Sequence, residues 1–387
     1  MLILLEKLKK FFNQRKDGSH LGFSTILGSL ITAIFGIIVA PIIGVEHYGN
    51  VSYFFAIAGI IHAIVSLGAS NVILVYLPKG IKLFSTISLI VLVPAIIASI
   101  VVYFLFNEIS IAVLVIGLII FELGINEIIA KRLYPTFTKY YLAQRVLFVI
   151  LALSLYFVFG PAGMILGHGL SMLIVLPRIF KGFKESQIDF SLIKTRMNFV
   201  AHNYFLRISR TSYVYLDRII IFPLFGYVTL GNYELGLQLI ALANVLSVIV
   251  YQYLQPRDAK SEHTHKIKFF VIIISIIVSI MVILLGPILI PIMFPQFEEV
   301  VDLIPILGLS IVPHMVVIIY MSKFLGDEKS RIVLIAALLH FGVQISLIFI
   351  LGHLFSTLGI AIALVVAETA EAIFLINRHK VLFKTYL

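Results

Sequence analysis

The chain has 387 residues, of which 61% are hydrophobic and 12% charged, and its mean hydropathy is +1.10. Soluble domains are about half apolar and about a quarter charged, so this composition excludes a water-soluble fold and predicts an integral membrane protein. No cysteine is present, which excludes disulfides, thiolate zinc sites and thiol nucleophiles. The distribution of the net charge of +10, described below, argues against nucleic-acid binding.

The N-terminal segment, residues 1–20, begins with a short apolar run, continues with basic residues and lacks a cleavage site, so it does not read as a signal peptide. It predicts either an amphipathic helix on the inner membrane surface or a solvated basic tail. Beyond it, stretches of about 20 mostly apolar residues without strict alternation predict spanning helices and exclude a barrel. The twelve predicted spans are 22–44, 51–77, 83–106, 109–130, 141–159, 161–180, 198–225, 229–254, 268–294, 301–325, 331–352 and 357–377.

Lysine and arginine residues test this count, because cytoplasmic loops collect them. With the N-terminus inside, 25 of the 29 fall in segments predicted to be cytoplasmic, and the other four lie within spans. One miscounted span would invert every later loop, so the pattern predicts twelve spans with both termini cytoplasmic. The predicted outer loops hold acids instead: Glu46, Glu108, Glu298, Glu299 and Asp302.

One phrase occurs twice: "APIIGVEHYGN" at 40–50 and "FPLFGYVTLGN" at 222–232, each at the outer end of the first span of a six-span half. Proline and glycine here are expected to end the span and turn the chain into the next one. The offset of 182 residues is constant over four pairs, which predicts an internal duplication. The pairs are Pro41 and Pro223, Gly44 and Gly226, Gly49 and Gly231, and Asn50 and Asn232.

An even number of spans per half gives both halves the same orientation, as in parallel-repeat transporters. Two six-helix halves would then surround a central cleft and rock to give alternating access. The predicted parts are a tail at 1–20, halves at 21–181 and 198–377, a cytoplasmic connector at 182–197 and a cytoplasmic tail at 378–387.

Charged residues inside spans are costly and usually face protein or water, so they are candidate functional groups. Arg207, Arg210 and Arg218 share one face of predicted span 7, within about 60° at 100° per residue. A guanidinium binds phosphate through a bidentate fork, so these three and Arg145 in span 5 are candidates for binding a phosphate-bearing substrate. Pairing with a carboxylate, or extension toward lipid headgroups, is the alternative for each.

Four acids within spans are candidates for ion coupling or for charge pairing with the arginines: Glu122, Asp217, Glu368 and Glu371. Glu368 and Glu371 are three residues apart on one helical face, and two carboxylates in a low-dielectric cleft suit proton coupling. Glu127 is expected to form an i,i+4 pair with Lys131.

Four histidines lie on separate spans, at His62, His168, His314 and His340, without metal-site spacing. They are expected to be hydrogen-bonded packing residues. The sequence therefore predicts no metal site and no cofactor apart from proton or sodium coupling. A P-loop motif is absent, which excludes ATP hydrolysis by that route.

Several segments in this order resemble the polysaccharide, or O-antigen, flippases of the multidrug/oligosaccharidyl-lipid/polysaccharide exporter superfamily. They are "IIGVEHYGNVSYFFAIAGIIHAIVSLGASNVILVYLPKG", "YVYLDRIIIFPLFGYVTLGNYELGLQLIALANVL", "YLQPRDAK", "FPQFEEVVDLIPILGLSIVP" and "STLGIAIALVVAETAEAIFLINRHK". The resemblance implies a non-enzymatic flippase for a polyprenyl-diphosphate-linked oligosaccharide, a precursor of cell-surface polysaccharide. Its partners would be that substrate, membrane lipids and polysaccharide assembly proteins.

Two alternatives remain open at this stage. A multidrug or small-organic-cation exporter of the same superfamily would favour an acidic cavity, whereas predicted span 1 has no acid and span 7 has three arginines. A membrane enzyme that uses polyprenyl-linked sugars would need catalytic groups on substantial outer loops. The only acidic outer candidate is "FPQFEEVVD", residues 294–302.

Overall fold

The computed structural model describes residues 16–194, 196–260, 262 and 264–384, and within them every regular element is helical. The predicted N-terminal tail therefore lies mostly outside the described residues. In chain order the helices are α1 Lys16–Ile43, α2 Val45–Val65, α3 Ala69–Tyr76, α4 Phe84–Phe106, α5 Ile109–Ala130, α6 Tyr134–Met172, α7 Leu176–Glu185, α8 Ser191–Lys194, α9 Met197–Ala243, α10 Val245–Asp258, α11 His265–Met293, α12 Val300–Gly308, α13 Ile311–Gly326 and α14 Ser330–Lys384. A 3₁₀ turn at Leu173–Val175 joins α6 to α7.

Nine helical stretches in the described residues are long and apolar enough to cross a membrane, so the chain is a multi-pass membrane protein. Two of them, Tyr134–Glu185 and Ser330–Lys380, run for 52 and 51 residues. At 1.5 Å per residue each measures about 75 Å, more than twice the roughly 30 Å of a hydrocarbon core. Both are interrupted by non-helical backbone, at Gly160 and at Ser356. The first interruption lies where the sequence predicts a tight turn.

Contacts divide the chain into two compact units. Unit 1 comprises Met1–Phe35 with Tyr53–Ile219, and unit 2 comprises Gly36–Ser52 with Ile220–Leu387. Within unit 1, α5 is the most buried span and packs against α3, α4, α6 and α7. Within unit 2, α13 packs against α10, α11 and α14, and α12 packs against α11 and α14.

In unit 1 the segments predicted to be cytoplasmic meet at one end. Ser85 and Ser186 join through their hydroxyls at 2.7 Å. The guanidinium of Arg196 lies over the ring of Tyr76, 5.0 Å from its centroid. These contacts join residues far apart in sequence that the positive-inside pattern assigns to the same side of the membrane.

Unit 2 shows the same separation of ends. Asp258, at the end of α10, is 3% exposed and accepts hydrogen bonds from Lys268 Nζ at 2.7 Å and Ser322 Oγ at 2.7 Å. All three lie at or beside predicted cytoplasmic loops. At the other end, the rings of Tyr48 and Phe297, from two predicted outer segments, meet edge to face with centroids 5.9 Å apart.

The duplicated phrases pack against each other within unit 2. Gly44 and Gly226 occupy matched positions and both have left-handed backbone, with φ of +80° and +84°, so each interrupts its helix as the sequence predicts. A β-carbon at Gly49 would collide with the carbonyl of Tyr227, and one at Gly231 would collide with the carbonyl of Val45. The second glycine of each phrase therefore lets two backbones touch.

The two compact units do not coincide with the predicted six-helix halves. Residues 36–52 pack with unit 2, and residues 198–219 pack with unit 1, so the division falls inside α1, α2 and α9 rather than at the connector. The packing of the two phrases gives the physical reason for the first exchange. The repeat describes how the sequence is built, whereas the units describe which residues touch.

Candidate functional site

Three spans of unit 1 bring together Arg207 from α9, Glu122 from α5 and His62 from α2, called here the Arg207 cluster. Arg207 donates hydrogen bonds to the Glu122 carboxylate from both terminal nitrogens, and its Nη2 lies 3.0 Å from Oε2. His62 Nε2 lies 2.7 Å from the same oxygen. The sequence predicted two of these three residues, and the structure pairs them.

The Arg207 cluster is partly buried and retains unused binding capacity. The side chains of Arg207, Glu122 and His62 are 23%, 12% and 15% exposed. The Nε of Arg207 is buried and has no hydrogen-bond partner among the described residues. A guanidinium has five N–H donors, so an anion that approaches this edge could compete with the carboxylate for it. With a neutral imidazole the three side chains carry no net charge.

The other predicted arginines have separate surroundings. Arg145 donates to the Tyr141 hydroxyl at 3.1 Å and lies over that ring, which places it on α6 outside the Arg207 cluster. Arg218 pairs with its neighbour Asp217, with Nη1 to Oδ1 at 3.2 Å. Arg210 lies on a helical stretch of α9, but its side chain is outside the described residues.

Four residues of unit 2 form a second group, called here the Glu371 cluster: His314, His340, Glu368 and Glu371. His314 Nδ1 lies 3.1 Å from Glu368 Oε1, and His340 Nδ1 lies 3.0 Å from Glu371 Oε2. His340 precedes the interruption of α14 and the two glutamates follow it, so the reversal of the chain brings them together. Glu368 and Glu371 are 7% and 3% exposed.

Three of the four histidines that were expected to be hydrogen-bonded packing residues lie against carboxylates. The exception is His168, whose ring lies against Phe148 and Phe55 at centroid distances of 4.2 and 5.1 Å, among apolar side chains. No sequence signal pairs these histidines with particular acids, because the contacts depend on which helices become neighbours.

At the edge of α5 the expected pair of Glu127 and Lys131 is present, at 2.5 Å. Glu127 is fully buried and also receives Arg178 through two nitrogens, at 2.7 and 3.1 Å. Burial alone would lower the pKa of Lys131, but hydrogen bonds to Glu127 and Glu185 outweigh it and raise that pKa. The network joins α5 to α7, and we assign it a structural role.

Comparison with solved structures shows that the chain has the fold of transporters of the MOP superfamily. A lipid II flippase, MurJ, in an inward closed conformation aligns with a TM-score of 0.77 at 12% identity, over 93% of this chain and 87% of that one. An inward-facing multidrug resistance MATE family transporter aligns with a TM-score of 0.71 at 14% identity, over 95% and 98%. A MOP superfamily transporter from Pyrococcus furiosus, described by the reverse polarity of its binding pocket, aligns with a TM-score of 0.58 at 15% identity, over 94% and 95%.

No protein-family model matches the chain, and a search of curated proteins finds no match. At these identities the likeness establishes the fold and leaves the substrate to be argued from the site.

Proposed function

We propose that the protein is a flippase that moves a polyprenyl-diphosphate-linked oligosaccharide across the cytoplasmic membrane by alternating access. The observation that carries the proposal is a partly buried arginine, Arg207, on a transporter fold that also serves a lipid II flippase. An anionic diphosphate needs a fixed cation within the membrane, and arginine supplies one that stays charged. The structural neighbours are transporters, which agrees with a non-enzymatic role.

The proposal includes twelve crossings with both termini cytoplasmic. It is supported by the interruptions of the helices at Gly160, Gly226 and Ser356, each of which separates two predicted spans. It is also supported by the segregation of lysine and arginine, because an even number of crossings is needed between any two cytoplasmic segments.

In this mechanism Glu122 and the substrate diphosphate compete for Arg207. With no substrate bound, the carboxylate neutralises the guanidinium. When the diphosphate binds, Glu122 loses its permanent partner and keeps only His62, 2.7 Å away. A proton taken up by His62 or by Glu122 then compensates the carboxylate. Substrate binding and ion uptake are thereby coupled within one cluster.

The Glu371 cluster is proposed as a second ion-coupling site, since its carboxylates contact histidines and none of the ion pairs formed by lysine or arginine in the described residues involves them. The histidine of each contact can change charge near neutral pH, whereas a guanidinium cannot. Arg145, Arg210, Arg218 and Asp217 stay secondary candidates of the proposal.

The decisive cellular measurement is the distribution of lipid-linked oligosaccharide between the two leaflets when the protein is depleted. We expect accumulation on the inner leaflet and loss of outer-leaflet precursor. Normal outward delivery in depleted cells with no other flippase present contradicts the proposal.

The competition mechanism predicts opposite effects for two substitutions in purified protein. Arg207→Ala should abolish binding of a polyprenyl diphosphate. Glu122→Gln should tighten binding by about tenfold, equivalent to about 1.4 kcal/mol, because the competing carboxylate is gone, while the pH dependence of transport weakens. Arg331→Ala, at an exposed arginine in a predicted cytoplasmic loop, is the matched control and should change neither. Weaker binding in Glu122→Gln refutes the competition.

The MATE neighbour favours a second candidate function, export of an organic cation. The two candidates differ in which charge Arg207 meets. A cationic substrate would be bound by Glu122, so Glu122→Gln would abolish binding and Arg207→Ala would strengthen it. The same pair of variants therefore separates the flippase from the exporter.

A further inference from the structure

The Glu371 cluster has the donor set of a transition-metal site. His340, Glu368 and Glu371 each offer a ligand atom, and these atoms lie within 4.8 Å of one another. Ligands of a tetrahedral zinc ion are about 3.4 Å apart at bond lengths near 2.1 Å. Side-chain movements of about an ångström would therefore complete the site, and His314 stands beside it, 3.1 Å from Glu368.

The hydrogen bond made by His340 Nε2 determines whether Nδ1, which faces Glu371, carries a hydrogen in the neutral ring. His340 Nε2 lies 3.2 Å from Gln344 Oε1. A carbonyl oxygen can only accept, so Nε2 carries a hydrogen and donates it. In the neutral ring Nδ1 then presents a lone pair, 3.0 Å from a carboxylate oxygen of Glu371. Two electron-rich atoms approach this closely only when a proton or a metal ion lies between them.

The charges of the cluster balance in two ways. If both imidazoles are protonated, two positive rings offset two carboxylates. If both are neutral, one divalent ion does the same, so a divalent metal can replace two protons with no change in net charge. This exchange matters in a span, where an uncompensated charge is costly.

Two further features favour a metal. Glu368 Oε2 is buried and has no hydrogen-bond donor among the described residues, which leaves an oxygen available as a ligand. Gln344 holds the ring of His340 from behind, the position from which outer hydrogen bonds orient metal-binding histidines. The Arg207 cluster also contains a histidine and a glutamate, but there a guanidinium occupies the carboxylate.

We propose that the Glu371 cluster binds one divalent transition-metal ion, of the zinc or manganese class, in exchange for two protons. Imidazole with carboxylate favours such ions over sodium or calcium, which take oxygen ligands. The proposed function assigns ion coupling to the same side chains. The metal site rests on that function only for its role in transport.

The test uses the purified full-length protein in detergent, with zinc as the probe. Calorimetry in buffers of different ionisation enthalpy should show one zinc site per protein. At a pH where both imidazoles are protonated, zinc binding should release about two protons. Glu371→Gln and His340→Gln should each remove that site. Because a buried substitution can unfold the protein, each variant is first compared with the parent by size-exclusion profile, and Glu371→Asp is expected to retain weakened binding.

Two controls locate the metal. His62→Gln, at the other buried histidine–glutamate contact, should bind zinc as the parent does. His265→Ala, at the first residue of α11 and two residues after another histidine in the sequence, tests adventitious binding and should also leave the site intact. Full zinc binding in folded Glu371→Gln or folded His340→Gln overturns the metal site. Loss of transport in a protein that binds zinc normally counts against the proposed function alone.

Discussion

The contact between the duplicated phrases makes a quantitative prediction. A β-carbon added at Gly49 would lie 2.8 Å from the backbone nitrogen of Gly231, against ordinary contacts of 3.4–4 Å, and closer still to the Tyr227 carbonyl. Backbone atoms cannot rotate away as a side chain can, so the two helices must separate. Overpacking of this kind costs about 1–3 kcal/mol. Alanine at Gly231 meets the matched obstacle, the carbonyl of Val45, and should cost about the same.

Gly342 is the matched control, because it also lies in a spanning helix but has no atom within 4 Å of an added β-carbon. Alanine there should stabilise the helix by up to about 1 kcal/mol. The apparent melting temperature of the purified protein should fall for Gly49→Ala and Gly231→Ala and hold or rise for Gly342→Ala. The double variant should lose less than the sum of the two, because both open one contact. If all three variants have the same melting temperature, the close approach of the two phrases is refuted.

The other predictions concern buried carboxylates and one turn. Glu127→Gln should lower the free energy of unfolding by about 3 kcal/mol, because it removes the charge of a fully buried carboxylate that pairs with the partly buried Arg178. Glu185→Gln, at an exposed residue, should lower it by less than about 1 kcal/mol. Equal melting temperatures would argue against the network. Asp258→Ala leaves three hydrogen-bond donors at one end of unit 2 without their acceptor. It should lower the melting temperature far more than Asp327→Ala, whose carboxylate forms an i,i+4 ion pair. Gly226→Ala should lower the free energy of unfolding by about 1–2 kcal/mol, because alanine is strained at the φ of +84°. No atom obstructs the new methyl group, so an unchanged melting temperature would refute that strain.

The sequence predicts helices, their interruptions and their charged ends well, because these depend on local chemistry. Glycine and proline mark the interruptions at Gly44, Gly160 and Gly226, and apolar length marks the spans. Ser356 shows the limit of such signals. A serine with φ of +51° interrupts α14, and no local residue preference identifies that position.

The sites were harder to predict, because they depend on which helices become neighbours. Periodicity assigns Glu122 and Arg207 to faces of their own helices, but it cannot say that those faces meet across 85 residues. The histidines were expected to be packing residues for the same reason. Periodicity does not identify the carboxylates that contact His314 and His340, because only the packing of α13 and both parts of α14 brings them together.

The contact between the two phrases also bears on the history of the chain. With the offset of 182 residues, Gly49 meets the counterpart of Val45, and Val45 meets the counterpart of Gly49. A reciprocal contact of this kind is isologous, the kind that two identical subunits make across a two-fold axis. A half-length ancestor that carried the phrase once could thus have paired with a second copy of itself through these glycines. Under the predicted duplication, fusion of the two copies would have let each half change alone, and the arginines of α9, for which the first half has no equivalent, would be such a change.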